Sequence, residues 1–125
     1  MYYKSMLFFT NLTKKPIRRA AFQKLYRHIF KNGNFDLSVV FASPVLMKKL
    51  NMRYRGKNKP ANVLLFQYDK RFGEVFLNVQ ERNLPSLFVH GCLHLLGYDH
   101  KTAKSAARME QLERKFLNLE MQFPS

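Results

Sequence analysis

The sequence predicts a mixed fold of strands and helices packed around one central helix, and three observations predict it. Segments with strand character alternate with segments of helical period along the whole chain. Between Arg82 and Asp99 there is no Asp, Glu, Lys or Arg, and the helix expected there is apolar around most of its circumference, which places it inside the domain. That same helix carries His90 and His94 one turn apart, with His100 just beyond it. The 125 residues are 46% hydrophobic and 14% aromatic, enough for the core of a single domain covering residues 1–125.

In chain order, Met6 to Thr10 reads as a short strand. Pro16 suits the first turn of a helix on which Ile17, Ala21, Leu25 and Ile29 recur every fourth residue, ended by Asn32-Gly33. Leu37 to Ala42 reads as a buried strand, and Ser43-Pro44 caps a helix carrying Val45, Leu46 and Leu50. Glycine and proline make Arg53 to Pro60 a basic loop. Asn62 to Gln67 and Glu74 to Val79 form two strands joined through Tyr68-Asp69-Lys70-Arg71. The apolar helix begins near Asn83 to Ser86 and stops at Gly97. A last amphipathic helix, about Thr102 to Leu119, buries Met109, Leu112, Phe116 and Leu119 and pairs Glu110 with Arg114 on its surface.

The formal charge is +14, from 22 Lys and Arg against 8 Asp and Glu. Residues 1–59 hold 14 of the cations and one acid, Asp36, so nearly all the excess lies in the first half. Such a one-signed half points to a polyanionic partner, RNA or DNA, over a merely solubilising surface. Lys24, Arg27 and Lys31 form a row on the first helix with no carboxylate nearby in sequence, either a phosphate track or a solvated face. The single cysteine, Cys92, excludes an intrachain disulfide and suits a reducing, cytoplasmic setting. No apolar run reaches membrane-spanning length, so no membrane partner is expected. The acid-free first 35 residues share a pattern with transit peptides, but they contain one serine and a helix of their own, so they are expected to belong to the fold.

The chemistry is concentrated in His90-Gly91-Cys92-Leu93-His94-Leu95-Leu96-Gly97-Tyr98-Asp99-His100. His90 and His94 project from one face of the helix, and Gly97 permits the turn that brings His100 back as a third ligand. Three neutral imidazoles favour a borderline transition metal, most often one Zn²⁺ ion, and leave a fourth position open for water or substrate. Cys92 points away from the histidine face and reads as core packing. The spacing is that of metzincin proteases, which carry a glutamate general base directly after the first histidine. Here that position is Gly91, which cannot abstract a proton, so peptide hydrolysis lacks its usual base. The basic half suggests a phosphodiester instead.

The histidine segment resembles the signature of the YbeY family of metal-dependent endoribonucleases. The run Leu50-Asn51-Met52-Arg53-Tyr54-Arg55-Gly56-Lys57-Asn58-Lys59-Pro60-Ala61-Asn62-Val63-Leu64 resembles that family's second motif, and Phe72-Gly73-Glu74-Val75 its following strand. The resemblance spans about residues 37–117. It implies an α+β fold, a small mixed β-sheet packed with helices around a central metal-bearing helix with a metzincin-like zinc site. It also implies Zn²⁺ on His90, His94 and His100, and cleavage of single-stranded RNA in the maturation of ribosomal RNA (the 16S rRNA 3′ end) and in ribosome quality control. Arg55 aligns with the family's important arginine, so Arg55 and His94 are the expected catalytic residues. Arg53, Arg55, Lys57 and Lys59, with Lys24, Arg27 and Lys31, are the expected RNA contacts, and the ribosome the expected partner. Tyr98 and Asp99 are candidates for orienting the ligands or moving a proton, or simply form the turn. Two departures stand out. Ala61-Asn62-Val63-Leu64-Leu65-Phe66-Gln67 replaces the family's Thr-Asp-Val-Leu-Ser-Phe-Pro, losing an acid and a serine, and the connection from Asn78 to His90 is shorter than usual. They leave open a second function, a ribosome-associated RNA-binding protein with a structural zinc and no catalysis.

Overall fold

Eight elements follow one another in the computed structural model, which describes residues 5–122 and side chains to Leu119. They are β1 (Leu7–Asn11), α1 (Ala20–Ile29), β2 (Asp36–Ala42), α2 (Pro44–Arg55), β3 (Val63–Asp69), β4 (Phe72–Asn78), α3 (Leu84–Leu95) and α4 (Ala103–Gln122). The sheet has the order β1-β2-β4-β3. β1, β2 and β4 run parallel and β3 runs antiparallel to β4, which makes the sheet mixed and leaves β1 and β3 as its edges. The α+β class and the small mixed sheet agree with expectation.

Alternation along the strands divides the apolar residues between two faces. On one face Leu37, Val39 and Phe41 of β2 and Val75 and Leu77 of β4 join Phe22 and Leu25 of α1 and Phe88, Val89, Cys92 and Leu93 of α3 in the main core. On the other, Leu64, Phe66 and Phe76 join Met47, Leu46 and Leu50 of α2 in a smaller cluster. The apolar α3 lies centrally: it packs on β3 and β4 and is flanked by α1 and α4. Cys92 is fully buried, as a small core residue.

Several element boundaries differ from the sequence reading, β3 running on to Asp69 and β4 starting at Phe72 among them, and two of the differences have a visible cause. The first helix starts at Ala20, not at Pro16. The Asn11 side chain accepts from Thr13 N–H and donates to the Lys15 carbonyl, and Lys15 Nζ reaches the Val79 carbonyl at 2.8 Å. These bonds hold the approach to the helix in an irregular path. The second difference is that Arg53, Tyr54 and Arg55 are helical, the last turn of α2. Arginine is a good helix former, and the stop signal is Gly56, left-handed at φ 67°. The loop between α2 and β3 is residues 56–62. The buried Asn51 fastens it, donating through Nδ2 to the Lys59 carbonyl at 2.8 Å.

Candidate metal centre

His90 and His94 leave the C-terminal half of α3 on one face, and His100 returns to them from the loop before α4. The return is a Schellman turn. Gly97, at φ 99°, donates to the His94 carbonyl and Tyr98 to the Leu93 carbonyl, both at 3.0 Å, which satisfies carbonyls the ending helix would orphan. One nitrogen from each of the three imidazoles then lies within 4.8 Å of the others. The Nε2 atoms of His90 and His94 are 3.2 Å apart, close to the spacing of two nitrogens on one tetrahedral ion with bonds of about 2.0–2.1 Å. Burial, then the neighbouring His90 and His100, push the His94 pKa below its ordinary 6.5, favouring the neutral form that a metal requires. The donor set fits a metal ion, and among the described residues it is the one such cluster of His, Cys, Asp and Glu.

Glu113 completes the cluster from α4. Its Oε1 lies 3.0 Å from His90 Nδ1, so the carboxylate accepts from Nδ1–H and leaves Nε2 with its lone pair towards His94. The sequence reading missed this residue. Its only signal was an acid adjoining the buried stripe of Met109, Leu112 and Phe116, 23 positions from its partner. The pair on the outer surface, Glu110 with Arg114, forms as expected. Gly91, in the position of the protease base, faces the sheet. A Cβ there would meet Leu65 Cδ2 at 2.9 Å and Val63 Cγ2 at 3.4 Å, so α3 packs closely on β3 at this glycine and a side chain there would have to displace Leu65. Asp99 is exposed and accepts from Lys101 N–H at 3.1 Å, the bond of a turn former.

The histidines open into a cleft of about 660 Å³ that crosses the β3 edge. Its lining joins Tyr54 and Arg55 from the end of α2, Val63 to Phe66 of β3, and His90, His94 and His100. Arg55 is thus brought to the histidines although 35 residues separate it from His90. Arg53, Lys57 and Lys59 are exposed beside this cleft's α2 wall without lining it. Lys24, Arg27 and Lys31 are not brought to it. They lie on or just after α1, and Arg27 lines a separate cleft along β1, the opposite edge of the sheet.

Fold and site together define a class: an α+β protein with a three-histidine cluster, buttressed by a carboxylate, that could hold a metal beside an arginine. A family model described as Endoribonuclease YbeY matches residues 8–120, and the chain belongs to the YbeY family. Relatives named Endoribonuclease YbeY include one from Ehrlichia ruminantium (strain Gardel), 38% identical over 100 residues that cover 66% of this chain and 64% of the relative. Another, from Thermodesulfovibrio yellowstonii, is 36% identical over 118 residues covering 77% of this chain and 74% of the relative. The chain spans 64% of the length of the first of these relatives. The solution structure of a Thermotoga maritima protein shares the fold, with a TM-score of 0.65 and 22% identity over 95% of this chain and 94% of that one. No described helix is long and apolar enough to cross a membrane.

Proposed function

We propose that the protein is a zinc-dependent endoribonuclease, one domain over residues 1–125, that cuts single-stranded RNA. Its substrate in the cell is ribosomal RNA, at the 3′ end of the 16S molecule, and its partner is the ribosome in the cytoplasm, where it also serves quality control. The observation that carries the reading is the convergence of Arg55 with His90, His94 and His100 in one cleft. The family's name and the charge of +14 support RNA as the substrate.

Each residue has a part that its position suits. His90, His94 and His100 would hold the ion in a metzincin-like site, and a zinc ion bound there supplies Lewis acidity to the phosphodiester. Arg55 donates to the non-bridging phosphate oxygens and stabilises the charge that develops on them. Glu113 keeps the Nδ1 proton on His90, which leaves the Nε2 lone pair available as the nitrogen that would bind the ion. Val63 and Leu65 form an apolar wall, which displaces water and strengthens the charge interactions of Arg55. Arg53, Lys57 and Lys59 hold flanking phosphates, and Lys24, Arg27 and Lys31 give a more distant attraction.

The second reading, a ribosome-associated RNA-binding protein with a structural zinc, is favoured by one observation. Leu65 lines the cleft where the family pattern carries a serine, so a polar group is missing from the wall. Chelation and metal restoration separate the two. Protein stripped of metal is expected to leave single-stranded RNA intact and to cut it after zinc is restored. Binding of RNA with no cutting under any divalent metal would overturn the nuclease reading in favour of the second.

A further inference from the structure

We infer that the cleft contains a nucleobase subsite, in which the ring of Tyr54, braced by Phe66, stacks on an unpaired base of the RNA. The inference rests on the reading of the protein as an RNA nuclease and names how that substrate is held.

Two aromatic side chains line the cleft beside the ionisable ones, and neither the metal nor the phosphate needs them. Tyr54 precedes Arg55 on the last turn of α2, so a phenol ring and a guanidinium enter the same cleft from adjacent positions. The Tyr54 residue remains 57% exposed. Its ring is nevertheless supported: it meets Phe66 edge to face at 5.1 Å between centroids, and Phe66 meets Phe76 in the same manner at 5.5 Å. Phe76 is in β4 and packs against the smaller core, so the three rings tie an exposed platform to the sheet. The Arg53 guanidinium lies 5.5 Å over the Tyr54 ring, adding a cation to the same spot.

A wet, braced aromatic ring beside a phosphate-binding arginine matches a ligand that joins a flat apolar ring to a phosphate, which is a nucleotide unit. Stacking is tolerant of base identity, because every base has a π-face. It does require that face to be free. Bases in a duplex have both faces covered by their neighbours, so the platform itself selects unpaired RNA.

The test crosses a protein change with a ligand change. The parent and Tyr54→Ala are each titrated with a single-stranded oligoribonucleotide and with an abasic ribose-phosphate oligomer of the same length. Zinc-loaded protein is used, and binding is read before measurable cleavage, with the oligomer confirmed intact on a gel afterwards. Tyr54→Ala is expected to weaken binding of the base-bearing oligomer about tenfold, and Tyr54→Phe to restore it. Binding of the abasic oligomer is expected to be weak and to change less than about twofold in Tyr54→Ala. Equal losses for both oligomers, or no loss for either, would overturn the platform. Cleavage of unmodified RNA by the parent is scored separately. A parent that cuts RNA while Tyr54→Ala binds it unchanged defeats the platform alone, whereas a parent that neither binds nor cuts RNA defeats both the platform and the nuclease reading beneath it.

Discussion

At the β1 edge of the sheet a cleft of about 670 Å³ is lined by Phe8, Arg19, Gln23 and Arg27, whereas at the β3 edge a cleft of about 660 Å³ is lined by Tyr54, Arg55 and three histidines. The two hollows have nearly the same size, and both contain arginine. Only the second adds donors that can hold a metal, and only there does a carboxylate fix one of them from behind. The first offers a polyanion attraction without a direction for it. The difference teaches that neither cavity size nor positive charge marks the site in this molecule. On the proposed reading convergence does: a cation, three imidazoles and apolar walls, delivered by α2, β3, α3 and the loop after α3 to a single sheet edge.

Short of removing a histidine of the cluster, the largest effect expected within this comparison is that of Arg55→Ala, which should lower kcat/KM for single-stranded RNA by roughly 100-fold or more, as for loss of one charged group that stabilises the transition state. Steady-state cleavage assays check it. A loss of only a few-fold would place Arg55 with the surface cations and weaken the contrast between the edges. Next comes Glu113→Gln, which keeps the size of the side chain and removes its charge. Zinc affinity, measured by competition with a chelator, should fall about 10–100-fold while the fold is retained.

Neutralising the other edge should act differently. Replacing Lys24, Arg27 and Lys31 together by glutamine is expected to weaken RNA binding several-fold, reduce the salt slope by up to about one per lost phosphate contact, and leave zinc content at the parent level. A titration series in salt reads this out, and loss of zinc in that variant would show that the two edges are not independent. The smallest effect is on stability against pH. Because the folded-state pKa of His94 is lowered, the unfolded chain binds the proton more readily. Metal-free protein should therefore keep its full stability above pH 6.5, the ordinary value, and lose part of it as the pH falls below. Melting curves across that range should show the slope in the parent and a reduced one in His94→Ala.

Much of this comparison is legible in the sequence because its determinants are local. The i, i+4 spacing of His90 and His94, the glycine at 97 and the third histidine three residues later describe a single turn of helix and its ending, and the chain folds them as read. The uncharged stretch from Leu84 to Leu96 likewise predicts the central helix from its own composition. What fails to show is set by tertiary packing. Nothing near Glu113 in sequence announces that α4 lays it against His90. Tyr54 is one aromatic among several until Phe66 is seen to brace it. Of the row Lys24, Arg27 and Lys31, the first two lie on α1 while Lys31 falls in the turn just after it, and only the packing of α1 along β1 shows that Arg27 lies at the edge away from the metal cluster. Even Gly91, which in the sequence marks only the absence of a base, acquires its reason from Leu65 and Val63 on a different element.

The central claim, that the three-histidine cluster holds the ion on which RNA cleavage depends, is tested most directly by His94→Ala, with zinc content and cleavage of single-stranded RNA measured on one preparation alongside the parent. The account predicts about one zinc per chain and cleavage in the parent, with both lost in a folded His94→Ala protein. Cleavage by that variant at the parent rate would contradict it.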